Sequence, residues 1–120
     1  MDPHLLEKKL AELEAVLYLH GEPLALPKIA KILELKPDEA SSVLATFGER
    51  LASSERGLRM VTSGEKFQLT TKPQFARIVE QFVKEELSEE LTPASLETLS
   101  IIAYLGPIAR NRIEYLRGVN

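Results

Sequence analysis

Apolar residues recur at three- and four-residue spacing through Leu6, Leu10, Leu13 and Leu17, with Val16 beside them, while Glu7, Lys8, Lys9, Glu12 and Glu14 fill the other positions. That period is one face of an amphipathic helix. It is predicted to end at His20-Gly21, because glycine accepts the left-handed conformation that closes a helix and a histidine in the last turn suits its dipole. Pro23 then forces an extended connection. Pro27 opens a short second helix through Ile29, Ala30, Ile32 and Leu33, and Pro37 opens a third carrying Val43, Leu44, Phe47 and Leu51. Proline suits both starts because its fixed φ is already helical. Between Gly57 and Lys72 the period drops to two: Leu58 and Met60 alternate with Arg59 and Val61, Ser63-Gly64-Glu65 supplies a turn, and Phe67 and Leu69 follow. This predicts a β-hairpin. Helical spacing returns after Pro73 with Phe75, Ile78, Val79, Phe82 and Val83. From Lys84 to Glu97 five Glu then stand against one Lys, as in a solvated linker or helix end. Thr92-Pro93 reads as a cap and first turn for a helix through Leu96, Leu99, Ile102 and Ala103 that Gly106-Pro107 ends. Ile113 and Leu116 mark one more short helix before Gly118.

The pattern repeats. Pro23-Leu24-Ala25 followed by Ile29 and Ile32 matches Pro107-Ile108-Ala109 followed by Ile113 and Leu116, and each copy is preceded by a helix carrying Leu-Glu, at Leu13-Glu14 and Leu96-Glu97. In the first copy the order runs helix, short extended segment, helix, turn, helix, two-stranded wing, which is the order of a winged helix. The fold expected is therefore mostly α with a small β-hairpin (α+β), a tandem winged helix-turn-helix whose second unit is truncated. Residues 1–86 form the first domain, with the wing at about 57–72 and an extra helix at about 73–86. Residues 87–92 are a linker, and 93–120 hold the first two helices of the second domain. That end is expected to be mobile or packed on a neighbour.

Composition narrows the function. The 120 residues are 44% apolar and 28% charged, with a net charge of −3, no cysteine, and only His4 and His20 as imidazoles. Disulfide scaffolds, zinc fingers and thiol catalysis are excluded, and no basic excess points to nucleic acid. The longest uncharged run, Thr98 to Ala109, has 12 residues, well short of the roughly 20 a membrane-spanning helix needs. The charged opening segment does not read as a secretory signal, so a cytoplasmic protein without membrane attachment is expected.

The candidates for chemistry are few. His4 and Glu7 stand at i, i+3, but no further histidine or cysteine completes a metal shell. The pairs Glu85/Glu89 and Glu86/Glu90 sit in the charge-rich stretch with no apolar pocket to raise a pKa. Neither a phosphate-cradling glycine loop nor a Gly-x-Ser-x-Gly elbow is present. No enzyme activity, metal or cofactor is expected. From Pro37 to Arg56 four acidic residues (Asp38, Glu39, Glu49, Glu55) outnumber two basic ones around Ser41, Ser42, Ala45 and Thr46. A helix that reads bases in the major groove displays Arg, Lys, Asn or Gln instead, so this third helix suits a protein surface. Arg59, Lys66 and Lys72 on the wing are dispersed cations beside Glu65. A second cluster, Arg110, Arg112 and Arg117 around Glu114 with Tyr104 and Tyr115 nearby, reads either as a solvated helix face or as a contact patch.

The run Ile101-Ile102-Ala103-Tyr104, then Pro107-Ile108, Arg110, Ile113-Glu114 and Arg117-Gly118-Val119-Asn120, resembles the signature of the segregation and condensation protein B (ScpB) family. Leu13-Glu14-Ala15, Gly21-Glu22-Pro23-Leu24, Arg56-Gly57-Leu58, Phe67-Gln68-Leu69 and Thr71-Lys72-Pro73 resemble that family's first domain in the same order. Gly106 and Ala109 depart from it, standing where Gln and Thr are more usual. The resemblance implies a non-enzymatic adaptor of the SMC–kleisin complex, acting in chromosome condensation and segregation during cell division. It implies a homodimer that binds the kleisin subunit and through it SMC, in the cytoplasm at the nucleoid, without strong DNA binding of its own. Tyr104, Pro107, Arg110, Glu114 and Arg117 are the partner-binding positions it points to. The competing reading is a winged-helix DNA-binding transcriptional regulator that uses the wing cations.

Overall fold

The computed structural model describes residues 1–87. Two compact units divide the chain, Met1–Leu69 and Thr70–Asn120. The first holds α1 (Pro3–His20), β1 (Leu24–Ala25), α2 (Leu26–Leu33), α3 (Pro37–Ser53), β2 (Leu58–Ser63) and the start of β3 (Lys66–Thr71). This helix-strand-helix-helix-strand-strand order is the winged helix that the hydrophobic period predicts.

Each helix boundary has a local cause. Asp2 caps α1 by accepting from the His4 amide at 2.8 Å, and Pro3 occupies the first turn. At the other end Gly21, with φ of 73°, donates its amide to the Leu17 carbonyl at 3.1 Å. The end of α2 uses a non-glycine residue in the same left-handed conformation: Glu34 has φ of 57°. Its amide reaches the Lys31 carbonyl at 3.2 Å and the Leu35 amide reaches that of Ala30 at 2.9 Å, the paired bonds of a Schellman closure. Lys9 of α1 adds a cation there, with Nζ donating to the Leu33 carbonyl at 2.6 Å and lying 3.0 Å from Glu12. That position suits the negative end of the α2 dipole. At the start of α3 the Lys36 amide donates to Glu39 Oε1 at 3.1 Å.

Leu10, Leu13 and Leu17 of α1 pack with Leu24, Ile29, Leu33, Val43, Leu44 and Phe47 into one core, against which Met60, Phe67 and Leu69 of the hairpin are partly buried. The hairpin turns at Gly64, whose φ of 64° falls in the region glycine enters without strain. Gly48 lets α3 and β2 approach, since a Cβ there would stand 3.1 Å from the Met60 methyl. The wing has a third strand: β1 pairs antiparallel with β3, Leu24 opposite Phe67 and Ala25 opposite Lys66, in the order β1-β3-β2. The Leu26 amide adds a bond to the Glu65 carbonyl at 3.1 Å. What the sequence offered as an extended connection after Pro23 is thus part of the sheet, because two residues of alternating exposure are too short a run to announce a strand.

In the second unit a single 3₁₀ turn, Pro73–Phe75, leads into α4 (Ala76–Leu87). Its apolar residues do not share one environment as their spacing suggests. Val83 and Leu87 are buried and Phe75 and Val79 half-buried, all four residues apart, whereas Ile78 and Phe82 are 65% and 55% exposed. Lys84 and Glu80 pair across one turn at 2.7 Å. The repeat's second copy, from Thr92 onward, lies outside the described residues.

Candidate protein-docking face

The solvent side of α1 carries Ala11, Glu14, Ala15 and Tyr18 at i, i+3, i+4 and i+7, next to the buried stripe of Leu10, Leu13 and Leu17. Residues at those intervals form one stripe. Two grooves run along it. One, of about 380 Å³, lies between α1 and α3 and is lined by Leu10, Ala11, Phe47, Leu51 and Ser54 together with Glu7, Glu14, Arg50 and Arg56, so that Ala11 and Glu14 border both grooves. Arg50 Nη1 spans this groove to donate to Glu7 Oε1 at 2.8 Å, with Oε2 also 2.8 Å away. The hydrogen bond from Arg50 holds the Glu7 carboxyl below its ordinary value, and the same bond raises Arg50.

The other groove, of about 280 Å³, lies between α1 and the hairpin and is lined by Ala11, Glu14, Ala15, Tyr18, Leu58 and Leu69. Its composition differs sharply. Two alanines make a shallow floor, Tyr18 and Leu58 stand at the rim 55% and 38% exposed, and Glu14 is the one ionised residue in the lining. Glu14 makes no ion pair among the described residues. An arrangement of small and apolar side chains with one carboxylate complements carbon surface beside a cation.

The nucleic-acid reading loses ground at the wing. Lys72 is only 6% exposed and Arg59 is half-buried, which leaves Lys66 as the exposed cation of the three. Lys72 therefore does not belong to the dispersed solvent-facing set in which the sequence placed it. On α3 the exposed positions include Asp38, Glu39, Ser41, Ser42, Ala45 and Glu49, as neutral-to-acidic as the sequence indicates. Phosphate contact draws on clustered Lys and Arg, and neither surface supplies it.

Of the positions singled out by sequence, Tyr104, Pro107, Arg110, Glu114 and Arg117 lie outside the described residues, as do Glu89 and Glu90. His4 serves α1 through its backbone amide, and Glu7 joins Arg50. No group of His, Cys, Asp and Glu suited to a metal occurs among the described residues, and none of their helices is long and apolar enough to cross a membrane. The stripe of Ala11, Ala15 and Tyr18 escaped the sequence reading. Its signal is the four-residue spacing of two small residues beside an aromatic, on a helix whose leucines already account for the core.

A family model described as segregation and condensation complex subunit ScpB matches residues 11–120. The chain is 44% identical over 107 residues to segregation and condensation protein B of Carboxydothermus hydrogenoformans, covering 89% of this chain and 57% of that one. To the protein of the same name in Moorella thermoacetica it is 38% identical over 109 residues, covering 91% and 55%. It therefore spans little more than half the length of these curated relatives. Among solved structures it is similar to a dimer of an ScpB N-terminal domain complexed with an ScpA peptide, with a TM-score of 0.61 and 32% identity, over 64% of this chain and 96% of that one. It is also similar to ScpB from Mycobacterium tuberculosis, with a TM-score of 0.65 and 28% identity, over 96% of this chain and 72% of that one.

Proposed function

This chain belongs to the segregation and condensation protein B family, and from that premise we propose that it acts as a non-enzymatic adaptor subunit of a chromosome segregation and condensation complex. It works by associating with a second copy and by binding the kleisin subunit, an ScpA-type protein, and through it SMC. Its place is then the cytoplasm, at the nucleoid. The observation that carries this reading is the solved relative that is at once a dimer and a peptide complex, and whose length this chain covers almost entirely. The neutral α3 surface and the burial of Lys72 support a protein partner over a phosphate backbone. We also carry forward the tandem organisation, with a first domain over 1–86, a linker at 87–92 and the opening of a second domain at 93–120. Tyr104, Pro107, Arg110, Glu114 and Arg117 are proposed as kleisin contacts on that second part.

Light scattering of the chain at tens of micromolar, paired with an anisotropy titration against a labelled ScpA segment from the same genome, tests the reading. A dimer mass and saturable peptide binding are expected, with Tyr104→Ala and Arg110→Ala weakening the complex in the full-length protein. A monomer that ignores the peptide refutes it. The same titration with duplex DNA is expected to show no binding that collapses as salt rises. Such a curve would move the assignment to a DNA-binding regulator.

A further inference from the structure

We draw no further inference here: the strongest candidate, the exposed apolar stripe of Ile78 and Phe82 on α4, carries nothing, because nothing in the structure shows what covers it.

Discussion

On the side of α1 that meets α2 and α3, polar contacts finish the packing: Lys9 donates to the Leu33 carbonyl and Glu7 pairs with Arg50. On the side that meets the hairpin, α1 offers Ala11, Ala15 and Tyr18 beside Leu58 and Leu69, with the Glu14 carboxylate at the edge. Both sides rest on the same leucine stripe, so burial alone does not distinguish them. The difference lies in how each seam is finished toward water. A seam that serves only the fold can be covered by long charged side chains that shield carbon and satisfy backbone groups. A seam left with small residues and an exposed aromatic keeps its carbon surface available, the composition of protein-binding anchors.

The harshest way to break the comparison is to remove the support common to both seams. Leu13 is fully buried beneath the stripe, and Leu13→Ala is expected to lower unfolding free energy by about 2–5 kcal/mol in urea titrations, eroding both grooves alike. Lys9→Met keeps the aliphatic stem but removes the cation from the end of α2, at an expected cost of about 1 kcal/mol. The same melt on Ala15→Ser isolates the open seam. Only the helix-propensity difference, about 0.5 kcal/mol, is expected there, and a loss as large as that of Lys9→Met would mean that the hairpin side is a folding contact. The smallest effect belongs to Arg50→Ala, since the Glu7 pair is solvent-exposed. Its signature is pH dependence. Because the folded-state pKa of Glu7 lies below the ordinary value of 4.5, the pair's contribution is present above that value and disappears as pH falls through the lowered one. Wild type should therefore lose a little more stability than Arg50→Ala between neutral and strongly acidic pH, and raised salt at neutral pH should narrow the gap.

The sequence made the helices legible because each carries two independent signals. α1 has its leucine period and Gly21, α2 and α3 each have a proline in the first turn, and the hairpin has Gly64 between alternating runs. Less was legible where a residue's environment depends on what lies across from it. Leu58 shares the period-two pattern with Met60, yet Met60 packs against the core and Leu58 sits at a groove rim. Ile78 and Phe82 share the helical period of α4 with Val79 and Val83, but only the set spaced four apart from Phe75 is buried or half-buried. Two strand residues, Leu24 and Ala25, carry too little pattern to announce a sheet. The groove itself was invisible for a related reason. Alanine signals neither core nor surface, and a concavity is a property of what is missing between side chains.

The shortness of β1 also bears on the order in which this unit assembles. Leu24 and Ala25 meet Phe67 and Lys66 only after the intervening chain has formed α2 and α3 and turned at Gly64. Closing so long a loop for two residue pairs costs entropy that few hydrogen bonds offset. The helical contacts α1–α2–α3 are local and form quickly, whereas the third strand is a late, non-local addition. It is then also the first part to open in the native state. Amide exchange should accordingly run faster at Leu26, bonded to the Glu65 carbonyl, than at the buried turns of α3. The β1 pairing is thus a contact that can open and reseat while the helices and the hairpin packed on them persist, on a timescale set by breaking two residue pairs and not by global unfolding.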